Sequence, residues 1–293
     1  MSRFVWLASY PKSGNTWTRA VLGAYLGGGL DDLGDLEKTT MASSRTLLDE
    51  HLPYASGDVP AAALDRLRPL VYEAVAKRPH DGPRLSKVHD ACHDTGAGPL
   101  FPAAATQGAV VIVRDPRDIC CSWAAFMATS LERSAGFLCN PEGHLAGSGK
   151  KSQTRQTMGS WSDHVASWLD APFPIHLVRY EDLLADPVAG FSGVVRFIWG
   201  DVDGPRLEAA VEAARFERLR AKEDAEEHGF AERPAKAERF FRKGKAGSWQ
   251  EELPPELAAK IVRHNGAMME RLGYDTGARR STPLKEVGGV GGA

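Results

Sequence analysis

Four short apolar runs punctuate the chain, at Phe4 to Ala8, Arg84 to Val88, Ala109 to Val113 and Ile175 to Val178. Runs this short, with little polar alternation, predict strands buried on both faces. Between them, apolar positions recur at helical spacing and predict helices over Thr16 to Leu26, Ala61 to Ala76, Asp118 to Met127, Ser160 to Leu169, Pro187 to Ile198 and Pro255 to Leu272. Within Pro187 to Ile198, the stripe Phe191, Val194, Val195 and Ile198 reads as core packing. Strand and helix alternate, so the pattern predicts an α/β fold: a single domain with a mainly parallel sheet and helices on both faces. Two stretches lack a period. Ser134 to Gly159 is rich in Gly, Ser, Lys and Thr, and Ala221 to Arg239 is densely charged; both read as long surface loops or lids. The domain is expected to span residues 1–275, with a disordered tail over 276–293.

Composition narrows the function classes. At 293 residues, 43% hydrophobic and 25% charged, the chain reads as a soluble globular protein. Its formal net charge of −2 supplies no strong positive field, which argues against nucleic acid as a partner. The amino terminus carries too short an apolar run for a secretory signal, and no eighteen consecutive residues are apolar, so no membrane role and a cytoplasmic location are expected. The four cysteines, Cys92, Cys120, Cys121 and Cys139, include no Cys-x-x-Cys pair and suggest neither a disulfide framework nor a zinc site.

The chemistry begins at "WLASYPKSGNTWTRAVLGAY", Trp6 to Tyr25, where an apolar run passes through a short loop into a helical pattern. Backbone N–H groups and the positive end of the helix dipole converge at such a turn and favour an anion, and Lys12 adds a full charge. The loop is not the nucleotide-triphosphatase motif, since lysine precedes glycine and no upstream glycine is present. On its own it fits anion binding and an ordinary βα turn equally. A second element, "RDPRDICCSWAAF", places Arg114 at the carboxyl end of the third strand and Ser122 about two turns into the next helix. Either could reach the same anion, although Arg114 could instead pair with Asp115 or Asp118. The third element, "RFFRKGKAGSWQEEL", holds Arg242, Lys243, Gly244 and Lys245 in a basic loop suited to wrapping a phosphate, or to plain solvation.

Together these elements resemble the three nucleotide-binding motifs of the sulfotransferases that use 3′-phosphoadenosine 5′-phosphosulfate (PAPS). Between them, "LSKVHD", "GSWSDHVASWL" and "HLVRYEDLLADP" are similar to further segments of that family, and the resemblance runs from Phe4 to about Tyr274. It implies a P-loop-like phosphosulfate loop in which Lys12, Ser13, Gly14, Asn15, Thr16 and Trp17 surround the 5′ group. It further implies that Arg114, Ser122, Arg242, Lys243 and Gly244 bind the 3′-phosphate, and that Trp17, Tyr180 and Phe216 border the adenine. Asn15 replaces the commoner threonine, and Ala214 stands where many members carry Thr or Ser. Core packing is a competing role for Phe216.

The resemblance also implies His89 as catalytic base, and a histidine titrates in the useful range. His93 is a rival. Lys87, two residues before His89 on the same side of a strand, could approach the sulfuryl oxygens, while Lys12 could stabilise charge on the leaving oxygen. The expected reaction is sulfuryl transfer from PAPS to a hydroxyl or amine of a small-molecule or natural-product acceptor, leaving 3′,5′-bisphosphoadenosine (PAP), with no metal. The alternatives are a kinase-like phosphotransferase using magnesium-ATP and a non-enzymatic nucleotide-binding module. Acceptor identity and oligomeric state stay open, and "WQEELPPELAAK" lacks the dimer segment of many cytosolic members. Ser134 to Gly159 is expected to form a mobile wall of the acceptor pocket.

Overall fold

A computed structural model describes residues 2–30, 33, 36, 39–145, 152–225, 232 and 237–277. In chain order the elements are β1 (Phe4–Ser9), α1 (Asn15–Gly27), β2 (Thr40–Met41), α2 (Arg45–Asp49), α3 (Ala61–Ala76), β3 (Arg84–Val88) and β4 (Thr106–Val113). They continue with α4 (Pro116–Met127), α5 (Leu131–Leu138), β5 (His144–Leu145), β6 (Gln156–Thr157), α6 (Trp161–Leu169), β7 (Ile175–Arg179) and α7 (Tyr180–Ala185). The remainder are α8 (Pro187–Trp199), α9 (Gly204–Ala213), α10 (Phe216–Ala225), α11 (Trp249–Glu252) and α12 (Pro255–Arg271).

Five strands form one sheet in the order β2-β3-β1-β4-β7, and every pairing is parallel. Successive strand residues point to opposite faces, so each strand feeds two cores. Phe4, Trp6, Ala8, Ala109, Val111 and Val113 pack with residues of α3, α6 and α12 on one face. Val5, Leu7, Val110, Ile112 and Val178 pack with residues of α1, α8 and α9 on the other. The near-continuous apolar character of β1 and β4 follows from this double burial. From β1 the chain crosses to β3 on one side and then returns to β4 on the other, which opens a crevice at the carboxyl ends of these strands.

Several expectations are corrected. Ser134 to Gly159 is not an aperiodic loop. Ser134 to Leu138 completes α5, with Ser130 capping the helix by accepting from the Arg133 N–H and with Ser134, Ala135 and Leu138 buried. Glycine and serine mask this helix in the sequence, yet the Ser134 hydroxyl donates to the Cys120 carbonyl (2.7 Å) and serves packing. Further on, β5 and β6 form a short antiparallel ladder, and residues 146–151 lie outside the described residues. The charged stretch from Ala221 begins as the last turn of α10, while 226–231 and 233–236 lie outside the described residues, as does the tail from 278. β4 starts at Thr106 rather than Ala109, because a buried hydroxyl finds partners there: Trp6 Nε1 donates to Thr106 Oγ1 (2.9 Å), which donates to the Pro102 carbonyl (2.9 Å).

That relay generates a prediction. Thr106→Val keeps the shape but strands the buried Trp6 N–H, while the Pro102 carbonyl keeps its bond from the Ala105 N–H (3.0 Å); the expected cost is about 1–3 kcal/mol. Urea denaturation should show the loss; an unchanged midpoint would mean that the relay contributes nothing to the core.

Candidate active site

Three loops meet at the carboxyl edge of the sheet and line a cavity of about 1300 Å³. The first joins β1 to α1. Gly14 (φ 105°) precedes the helix without a side-chain cap, so the N–H groups of the first turn have no intrahelical partner and face a potential anion. A Cβ on Gly14 would come within 2.6 Å of the Tyr180 ring, so both the backbone and the space demand glycine. Lys12 is also left-handed (φ 71°), an uncommon conformation for a residue with a side chain. Its ammonium stands 4.1 Å from the centroids of both Phe126 and Phe240. Burial first, then the neighbouring Arg114 and Lys87, push its pKa down to about 7.

Arg114, just past β4, ties the loops together. It donates to the carbonyls of Lys12 (3.1 Å) and Lys245 (2.9 Å), and its guanidinium lies 4.4 Å from the centroid of the Tyr180 ring. Asp118, 3.9 Å from Arg114, accepts from the backbone N–H groups of Gly247 (2.7 Å) and Trp249 (2.9 Å) and so fixes the third loop. In that loop Gly244 (φ 62°) lies against Phe216, whose ring occupies the place a Cβ would take. Arg242 forms a bidentate pair with Glu252, and Lys243 pairs with the same carboxylate at 2.9 Å. Burial pushes the Glu252 carboxyl up, but these two cations outweigh it and hold the pKa at about 2.

β3 ends at the cavity with Lys87 and His89. His89 Nδ1 lies 2.8 Å from the Ser9 carbonyl. A carbonyl only accepts, so Nδ1 carries the proton and Nε2 keeps its lone pair. Burial, then Lys87, lowers the His89 pKa to about 3, which keeps the ring neutral in the free protein. Lys87 Nζ bonds Glu232 (2.9 Å), whose other oxygen bonds Arg19 (2.6 Å). Burial acts to raise the Glu232 pKa, yet Lys87 and Arg19 bring it down to about 2. The rival His93 instead approaches the Ala91 carbonyl (2.9 Å) and is not among the residues lining the cavity.

Of the residues expected in the site, Lys12, Gly14, Asn15, Thr16, Trp17, Lys87, His89, Arg114, Ser122, Tyr180, Phe216, Arg242, Lys243 and Gly244 all line this cavity. Ser13 does not: its side chain is fully buried. Asn15 turns its amide back onto β1, donating to the Leu7 carbonyl (2.8 Å) and Ser9 Oγ (3.2 Å). Sequence reasoning missed the two carboxylates, Glu232 and Glu252, and the aromatic pair around Lys12. Glu232 sits in a charge run indistinguishable from a solvated face, whereas Glu252 follows the basic loop closely enough to have been suspected as its counter-ion. Among the described residues, no group of three or more His, Cys, Asp or Glu side chains is arranged to hold a metal ion.

The groups present fit an anionic nucleotide. Trp17 Nε1 and Arg114 Nε, both in cavity-lining residues, are buried donors without a hydrogen-bond partner among the described residues. Comparison with known proteins agrees. The family model for the sulfotransferase domain matches residues 2–273. Cytosolic sulfotransferase 17 of Arabidopsis thaliana is 27% identical over 91% of this chain and 73% of its own length. Sulfotransferase 1B1 of Canis lupus familiaris is 26% identical over 83% and 76% respectively. Among solved structures, retinol dehydratase in complex with androsterone and inactive cofactor PAP superposes with a TM-score of 0.60 at 18% identity, covering 92% of this chain and 81% of that one. Mouse sulfotransferase SULT7A1 complexed with PAP gives 0.58, also at 18% identity, covering 92% and 88%. Cation-rich loops around one cavity and a family match over nearly the whole chain lead to one assignment: the chain belongs to the sulfotransferase family and is a PAPS-dependent sulfotransferase.

Proposed function

We propose that this protein moves a sulfuryl group from PAPS to a hydroxyl or amine of a small-molecule acceptor, with His89 as base and no metal. The observation that carries the reading is His89 itself: a cavity-lining imidazole whose Nδ1 proton is committed to the Ser9 carbonyl, leaving Nε2 to take the acceptor's proton. The bound donor supplies the activated sulfuryl group. Lys12 stabilises negative charge on the oxygen left behind, and Lys87 neutralises the sulfuryl oxygens as their charge shifts. Arg114, Ser122, Arg242, Lys243 and Gly244 hold the 3′-phosphate. Thr16 and the start of α1 hold the 5′ group, with Ser13 supporting the loop from behind, and Trp17, Tyr180 and Phe216 border the adenine. The cations bring enough positive charge to balance the donor's phosphates, which is why we read the reaction as metal-free.

For the acceptor we assign Phe137, His144, Leu145, Gln153, Thr154 and Gln156, which line the same cavity. They come from α5 and the β5–β6 ladder and its flank, so the Ser134 to Gly159 segment acts as the acceptor wall. The small molecules in the retinol dehydratase complexes, androsterone and retinol, support an acceptor of that general kind. We assign residues 1–275 to one catalytic domain working in the cytoplasm, the compartment named for the Arabidopsis relative.

Three outcomes test this reading. His89→Ala should lower sulfuryl transfer by about 10²- to 10⁴-fold and leave PAP affinity near that of the unaltered protein. Near-full activity, with His93→Ala inactive instead, would move the base to His93. Arg114→Ala should weaken PAP binding by about 1.5–3 kcal/mol in calorimetry, while EDTA leaves turnover undiminished; strict magnesium dependence would defeat the metal-free mechanism.

The third outcome concerns Lys12. Its pKa of about 7 lies below that of the unfolded chain, so between pH 7 and the ordinary lysine range the unfolded state binds more protons. Stability of the free protein should therefore rise with pH across this window. Bound phosphates favour the ammonium, so PAP binding near pH 8 should take up a proton. Calorimetry in buffers of different ionisation enthalpy measures the uptake, which Lys12→Met should abolish.

A further inference from the structure

Immediately after His89 the chain enters a buried polar knot that the chemistry above does not use. Asp90 is fully buried and forms a bidentate pair with Arg68 of α3: Nη1 to Oδ1 at 3.0 Å and Nη2 to Oδ2 at 2.6 Å. Arg68 has no exposed surface. Its Nε donates to the Tyr72 hydroxyl (3.0 Å), which donates to the Ala42 carbonyl (2.7 Å) beside the start of the cavity rim at Met41. Asp90 Oδ1 also accepts from the Thr157 N–H of β6 (3.1 Å), and the Asp90 carbonyl accepts from Trp168 Nε1 (3.0 Å). The next residue closes the link, as Ala91 N–H donates to the Thr157 carbonyl (2.8 Å).

We infer that Arg68 and Asp90 are positioning residues that fix the base His89 against the β6 wall of the acceptor pocket. The inference rests on the reading of His89 as base. Asp90 shares a peptide bond with His89, and Thr157 adjoins Gln156 of the acceptor wall. One carboxylate therefore sets the spacing between the group that removes the proton and the surface that holds the molecule losing it. Stability alone accounts poorly for the arrangement. A buried ion pair costs so much desolvation that apolar residues of equal volume are often as stable or more so, and the attested use of such pairs is to specify geometry. The planar guanidinium fork suits this task because it fixes the plane of the carboxylate as well as its distance.

The test compares Arg68→Met combined with Asp90→Asn, which removes both charges of the pair and leaves only the half-buried Asp65, 3.3 Å from Arg68, without that partner, with Arg68→Lys, which keeps the charge but loses the fork. Tyr72→Phe is the control: it removes a buried hydroxyl from the same knot and leaves the pair intact. Turnover is measured with labelled PAPS and 2-naphthol, PAP affinity by calorimetry, and the His89 ring by 15N NMR, which needs no acceptor. A displacement of the base on the scale of an ångström costs about 10²-fold in rate. Both pair variants should lose on the order of ten- to a hundredfold in kcat with PAP affinity within about twofold, and should show the His89 Nδ1–H state giving way to a mixture of tautomers. Tyr72→Phe should lower the melting temperature while keeping kcat and the NMR signature. If the double variant fails to fold, Arg68→Lys decides. Unchanged kcat and an unchanged His89 signature in a folded pair variant, or equal loss in Tyr72→Phe, would overturn the inference. His89→Ala in the same assay separates the two readings: if it stays active the base assignment falls, and if it is dead while the pair variants are fully active only the positioning role falls.

Discussion

Arg114 is the residue through which the donor half of the site is joined. Its two terminal nitrogens hold the carbonyls of Lys12 and Lys245, its flat face lies on Tyr180, and Asp118 beside it anchors the backbone of the third loop. Four carboxyl-edge segments are thereby tied to one side chain at the end of β4. Lys12 depends on this most. A left-handed backbone in a residue with a Cβ costs of order 1–3 kcal/mol and persists only where its surroundings insist on it. The hydrogen bond from Arg114 to the Lys12 carbonyl is part of that insistence, and it aims the adjoining ammonium between two aromatic rings rather than into solvent.

The same crowding of cations explains the electrostatics. Lys12, Lys87, Arg19 and Arg114 are buried together, with Arg242 and Lys243 half-exposed beyond them; burial lowers the pKa of Lys12 and Lys87, and the neighbouring cations add to it. Two carboxylates relieve the strain in the free protein. Glu232 bridges Lys87 and Arg19, and Glu252 bridges Arg242 and Lys243. Burial lowers the pKa of both Lys87 and Lys12; Lys87 keeps the Glu232 carboxylate at hydrogen-bonding distance, whereas the Lys12 ammonium lies on the faces of Phe126 and Phe240 and its pKa falls to about 7. An incoming phosphate finds its strongest unmet demand at Lys12, next to the open end of α1.

The strands and most helices were legible in the sequence because they are buried on both faces or along one stripe. Phe4 to Ala8 could be little else, and α8 showed its stripe plainly. What could not be read depended on partners distant in the chain. β2 has only two residues and exists because β3 supplies its hydrogen bonds. α10 has too polar a surface to show a period, and α5 uses serine in its core contacts. The phosphate loops were readable as a set because glycine, lysine and hydroxyl residues recur at strand ends, but their counter-ions were not. A glutamate in a charged run looks the same whether it faces water or a buried lysine.

One device appears twice on the donor side and is missing from the acceptor wall as described. Gly14 lies against Tyr180 and Gly244 against Phe216, so in both phosphate loops an aromatic ring fills the space a side chain would need. Each ring belongs to a different element: Tyr180 opens α7, and Phe216 opens α10. Moving either loop therefore displaces a ring that lines the cavity, and the two loops are interlocked with α7 and α10. The wall assigned to the acceptor uses other bonds, including those from the Arg45 N–H to the Ser152 carbonyl (2.9 Å) and from the Thr154 N–H to the Ser43 carbonyl (2.9 Å). It is built from α5 and a ladder of two residues per strand, fastened to the catalytic strand chiefly where Asp90 and Ala91 meet Thr157. Side chains there can change without disturbing the phosphate loops. A fold built this way lets residues of one wall vary while the glycine loops keep their packing, and the fold itself persists in structures at 18% identity.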